Sequence, residues 1–237
     1  MDTMTTAACS GGSGDCTYAI QVMRILGVKT LFLKENFYPP GEGSLYSNMK
    51  PLLEVNGFEV LPTPGGNDTW AFEPGLRFSH NLDEWRNMPN RNKTHIILNQ
   101  HRYFGLPDPT FPFKPWLTVD AVPSGLTPDI TLIAVTNRWR DGSPVRWRNV
   151  LAKIEGPKYF IGLKVDHERF EKEAGPIVHW VTKDFLEIAR SVRDCKEVYC
   201  NQGPVMAISQ SLGKEYWGEF KPKKTNCMTY MPNEHYL

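Results

Sequence analysis

The chain has 237 residues, 27 Lys and Arg against 26 Asp and Glu, a formal net charge of +1 and 41% hydrophobic residues. That length holds one generous core or two small ones, and the balanced charge excludes a general electrostatic attraction for nucleic acid, leaving only local basic patches. No apolar run approaches the roughly 20 residues of a membrane helix, and Met1-Asp2-Thr3-Met4 has neither the basic nor the apolar region of a signal peptide, so a cytoplasmic location is expected.

A short extended segment, Thr5 to Cys9, leads into Ser10-Gly11-Gly12-Ser13-Gly14-Asp15. Ala19, Val22, Met23 and Leu26 then recur at helical spacing, so a helix begins close to Asp15. Strand, glycine turn and helix in that order open an α/β sheet whose ligands sit beyond the carboxyl ends of the strands. An acid in the first turn satisfies the amides that would otherwise hold a phosphate. The turn therefore reads as a platform presenting a carboxylate, with Gly12, Ser13 and Gly14 against the substrate.

Lys29 to Lys34 reads as a second strand, Leu45 to Val55 as a helix and Phe58 to Leu61 as a third strand, with turn-forming Pro and Gly at 39–43 and 62–66 between and after them. From Asn67 to Asn92 the pattern weakens into loops around a short helix at Leu82 to Trp85, where Trp70 and Trp85 offer aromatic walls for an acceptor or simple packing. Ile96, Ile97, His101 and Phe104 share a helical face that ends at Gly105. The prolines of Phe111 to Leu117 force extended backbone. Ser124 to Pro128 has linker composition and places a boundary between residues 1–125 and 126–237.

The second half repeats the alternation. Ile130 to Val135, Tyr159 to Leu163, Ile177 to Trp180 and Val198 to Cys200 read as strands. Helices run through Val150 to Ile154, through Phe185 to Val192, and from Val205 to a stop at Gly213. Nearly unbroken apolar strands imply a parallel sheet covered on both faces. The expected fold is therefore α/β, with two Rossmann-like doubly wound halves facing each other across a cleft.

Chemistry concentrates at two junctions of this half. In Cys200-Asn201-Gln202-Gly203-Pro204, Asn201 or Gln202 is the expected cap and Pro204 suits the first helical position. Gly203 admits a ligand to the backbone, and no acid competes for the positive end of the helix. Thr136-Asn137-Arg138, with Arg140 and Arg146, follows the first strand, where arginine matches phosphate geometry or is simply a solvated surface charge. Five cysteines without a C-x-x-C pair and six histidines without ligand spacing give no sign of a zinc site or a disulfide scaffold, and no D-x-D pair is present. An acid at one mouth and an anion site at the other suit group transfer from a phosphorylated donor with general-base assistance.

Gly11-Gly12-Ser13-Gly14-Asp15 with Ile20 to Leu26 resembles the opening motif of the ADP-heptose:lipopolysaccharide heptosyltransferases, glycosyltransferase family 9, which have the GT-B fold. Thr136-Asn137-Arg138 with Arg146-Trp147, Asn201 to Ala207 with Ser211-Leu212-Gly213, and His95 to Leu106 are similar to later segments of that family in the same order. The resemblance implies a glycosyltransferase taking a nucleotide-diphosphate sugar, without a metal or other cofactor, to an unidentified acceptor hydroxyl. It implies Asp15 as catalytic base, Thr136, Asn137, Arg138, Arg146, Gln202, Gly203, Pro204 and Val205 at the donor, and Glu168 at its ribose. Departures stand at Asn201-Gln202 for Asp-Thr, Met206 for His and Gln21 for Pro. Two other readings compete: a methyltransferase with Glu35 as ribose acid after Gly12-Ser13-Gly14, and a binding module for nucleotide sugars that has lost turnover.

Overall fold

The computed structural model describes residues 5–9, 12–35, 44–63, 78–137, 140, 143–221 and 224–237. The glycine at 11, the loops at 39–43 and 64–66, Trp70 and Arg138 lie outside them. The first sheet has strands β1 (Thr6–Cys9), β2 (Thr30–Lys34), β3 (Glu59–Thr63) and β4 (His80–Asn81) in the order β3-β2-β1-β4. Its helices are α1 (Ser13–Ile25), α2 (Leu45–Val55) and α3 (Ile96–Tyr103), with a 3-10 turn at Glu84–Asn87. The expected short helix at Leu82 to Trp85 is this turn, displaced by two residues because β4 precedes it. The second sheet comprises β5 (Thr131–Ala134), β6 (Lys158–Ile161), β7 (Val178–Trp180), β8 (Glu197–Asn201), β9 (Tyr216–Glu219) and β10 (Glu234–Tyr236). Its order is β10-β9-β8-β5-β6-β7, and its helices are α4 (Trp147–Lys153), α5 (Lys164–Ala174), α6 (Phe185–Asp194) and α7 (Pro204–Leu212). Every strand pair in both sheets is parallel.

The structure departs from the apolar pattern in three places. Helix α5 buries only Phe170 and Ala174, so its amphipathic signal is faint. Beyond α7 the chain continues into β9 and β10 instead of ending on a helix. The cap of α7 is Gly203 rather than Asn201 or Gln202. Asn201 is occupied elsewhere: its Oδ1 accepts from the Thr136 amide at 2.9 Å and its Nδ2 donates to the Thr136 carbonyl at 2.5 Å. An aspartate could make only the first of these bonds, and the pair ties the loop after β5 to the end of β8. Gly213 closes α7 with a left-handed φ of 67°.

The segment between α3 and β5 joins the halves without regular structure, and it stitches them together. The amides of Trp116 and Leu117 donate to the Ser211 carbonyl at 2.9 and 3.2 Å, and Trp116 Nε1 donates to the Thr17 carbonyl at 3.2 Å. Helix α1 packs on α7, and α2 on α6, so these four helices lie between the two sheets. One buried apolar cluster accordingly includes Ala7 and Leu31 of the first sheet, Leu132 and Val198 of the second, and Ile20 and Ile208 between them. A smaller cluster around Trp147, Phe160 and Phe170 packs α4 and α5 on the outer face of the second sheet. All five cysteines are free thiols. No helix among the described residues is long and apolar enough to cross a membrane.

Candidate functional site

The carboxyl ends of both sheets open onto one cleft of about 1600 Å³. This is where parallel α/β sheets collect ligand contacts, since their loops leave the strands on that side. The glycine turn supplies its floor from the first half, and the starts of α5, α6 and α7 supply the opposite wall.

Asp15 lies in the first turn of α1, its side chain 23% exposed to the cleft. Gly12, Ser13 and Gly14 line the cleft beside it. Gly14 also brings the two helix starts together: a Cβ there would stand 3.7 Å from Gly203 C and Pro204 Cα. Helix α7 starts without a side-chain cap and without an acid in its first turn, and Gly203, Pro204 and Val205 line the cleft. A carboxylate and the positive end of a helix dipole thus face the same space.

Several expected donor contacts are placed differently. Thr136 and Asn137 line the cleft, but the Thr136 backbone is clamped by Asn201, as described above. Gln202 reaches the cleft wall while its amide is engaged on both sides, donating to the Lys224 carbonyl at 2.6 Å and accepting from the Lys221 amide at 2.9 Å. It ties Lys221 to Lys224. Arg140 is committed to acids, donating to Glu173 at 2.8 Å and to Glu219 at 3.4 Å. Arg146 is the exposed N-cap of α4 and is absent from the cleft lining, because the chain turns there to bury Trp147. Glu168 is likewise exposed, 3.8 Å from Lys164 one turn back along α5, and does not itself line the cleft. Two residues earlier, about 200° around the helix, Asp166 lines the cleft, and its Oδ1 accepts from the Asn137 amide at 3.4 Å. Glu35, the ribose acid of the methyltransferase reading, is exposed at the end of β2 and does not line the cleft, which removes that reading's recognition element.

Among the described residues, the positive charge lining the cleft comes from residues that periodicity did not single out: Lys164 and Arg169 of α5, Lys183, Lys224, Arg86 and Arg91. The first two were hidden with α5 itself. Arg86, from the 3-10 turn, places Nη2 on Asp15 Oδ2 and Nη1 on Asp83 Oδ1. Burial alone lowers the pKa of this guanidinium, but Asp15 and Asp83 outweigh it and hold the value above the ordinary one. Trp85, 4% exposed, forms the adjoining wall. Among the described residues no group of three or more His, Cys, Asp or Glu side chains is arranged to hold a metal ion.

No protein-family model and no curated protein matches the chain. Solved structures resemble it over nearly its full length. A family 9 glycosyl transferase from Veillonella parvula superposes with a TM-score of 0.54 at 15% identity, covering 98% of this chain and 86% of that one. The E. coli ADP-heptose LPS heptosyltransferase II gives 0.51 at 12% identity, with 99% and 90% covered. E. coli heptosyltransferase WaaC with ADP gives 0.52 at 11%, with 98% and 92% covered. At such identities the likeness speaks for architecture alone, and the chain has the two-sheet α/β fold of the GT-B heptosyltransferases.

Proposed function

We propose that this protein is a glycosyltransferase that moves a sugar from a nucleotide-diphosphate sugar to an acceptor hydroxyl, by a single inverting displacement that needs no metal. The observation that carries the reading is the meeting of the Asp15 carboxylate and the acid-free start of α7 in one cleft. The similar structures include enzymes named for ADP-heptose and one solved with ADP, which supports a nucleotide-diphosphate donor here. In this reading Asp15 takes the proton of the acceptor hydroxyl. The acceptor oxygen bonds to the anomeric carbon as the bond from that carbon to the diphosphate breaks, which inverts the centre. Charge gathering on the departing diphosphate is met by the α7 amides and by Lys164, Arg169 and Lys183, lysine and arginine standing where another enzyme would place a divalent ion.

Donor binding is tested by thermal shift with nucleotide diphosphates, nucleotide sugars and S-adenosylmethionine; a ligand at 100 times its Kd stabilises by about 2.7 kcal/mol. Turnover is tested by donor hydrolysis or transfer in the parent and in Asp15→Asn, where loss of the base lowers the rate by roughly 10²- to 10⁴-fold. Full activity in Asp15→Asn removes Asp15 as base. Tight nucleotide binding with no turnover in either protein identifies a binding module instead.

A further inference from the structure

We propose that Arg86, anchored by Asp83, is the positioning residue for Asp15: it fixes the plane of the carboxylate and keeps it in the ionised, proton-accepting form. The inference rests on the reading of Asp15 as base and adds two residues that neither the motif nor the fold assigns. Its ground is a chain of contacts running from the end of β4 into the cleft. The Asp83 amide donates to Asn81 Oδ1 at 3.1 Å, and the Arg86 amide donates to the Asp83 carbonyl at 3.1 Å, so the turn is closed on itself. Asp83, with a side chain only 7% exposed, then holds one arm of the Arg86 guanidinium while the other arm holds Asp15. A planar fork clamped at one end is a rigid support for a carboxylate at the other.

Among the described residues Arg86 is a counter-charge in direct contact with Asp15. From α1, Tyr18 faces it, and burial raises that phenol well above its ordinary pKa, so it is neutral. From the 224–228 segment, Cys227 faces it as a thiol pushed up to about 12 by burial. From β1, Cys9 lies 3.9 Å from Asp83 Oδ1 and is likewise kept protonated, first by its hydrogen bond with Cys16 and then by burial. Lys34 of β2 acts on Asp83. A carboxylate among neutral buried groups tends to take up a proton, whereas an adjacent guanidinium holds the proton off.

The test uses the full chain labelled with ¹³C-carboxyl aspartate, with the Asp15 signal assigned by its absence in Asp15→Asn. In Arg86→Met the Asp15 titration midpoint rises by about 1–3 pH units, Arg86→Lys lies closest to the parent, and Asp83→Asn, which removes a like charge from the same guanidinium, lowers the midpoint instead. The acid limb of kcat/KM follows the Asp15 midpoint in direction and size in each variant while donor KM stays put. A midpoint that does not rise in Arg86→Met overturns the proposal, and Arg86→Gln, which keeps side-chain donors without the charge, decides it in the same way should Arg86→Met fail to fold. A midpoint that moves while Asp15→Asn remains fully active supports the support role of Arg86 and overturns the base reading instead.

Discussion

The two lobes are joined through a buried side chain whose removal has a calculable cost. Tyr18 Oη of α1 donates to Gln210 Oε1 of α7 at 2.6 Å, across 192 positions of sequence. Gln210 Nε2 then donates to Tyr216 Oη at 2.7 Å and to the Cys227 carbonyl at 2.6 Å. Tyr18 and Gln210 are 2% and 1% exposed, so no water replaces a lost partner. Tyr18→Phe leaves one buried oxygen of Gln210 unpaired and costs about 1–3 kcal/mol. Gln210→Met breaks three hydrogen bonds at nearly constant volume and costs more, about 3–5 kcal/mol. In the double variant the shared bond is lost once, so it is less destabilised than the sum of the singles by about 1–2 kcal/mol. Urea unfolding followed by circular dichroism and by tryptophan fluorescence measures all four corners of this cycle. Because one apolar cluster spans both sheets, the two probes report one transition. Additive single effects, or separate transitions for the two probes, refute the argument that this contact holds the faces of the cleft in register.

Two further perturbations follow from the same interface. His95, 5% exposed, is held by burial at a pKa of about 3, against about 6.5 when unfolded. The unfolded state therefore binds the extra proton between these values, and stability is full above pH 6.5 and falls as pH drops towards 3, at up to about 1.4 kcal/mol per unit. His95→Asn preserves an acceptor for the Ile97 amide at the start of α3 and flattens this slope; an unchanged slope in urea titrations between pH 4 and 6.5 assigns it to other groups. At Gly14, alanine meets the Gly203 and Pro204 backbone at an ordinary 3.7 Å and changes stability by about 1 kcal/mol at most. Gly14→Leu has to force α1 from α7, costs about 1–3 kcal/mol and weakens nucleotide-diphosphate binding in the same thermal-shift assay. Equal stability and binding of the leucine and alanine variants contradict the close approach.

What the amino-acid order determined by itself was local and periodic. Glycines before Asp15, apolar runs at β5 and β8, Pro204 at the start of α7 and Gly213 at its end each act through backbone freedom or one buried stripe, so their neighbours in sequence suffice to place them. Helix α5 leaves no such mark because it buries only Phe170 and Ala174, and composition does not distinguish Glu168 from Asp166, the acid that the helix turns into the cleft. What only the tertiary structure decided was which charges meet. Arg86 stands 71 positions from Asp15, Asn201 65 from Thr136 and Tyr18 192 from Gln210. An ion pair or a buried hydrogen bond depends on distance in space and on exclusion of water, and neither leaves a period in the chain.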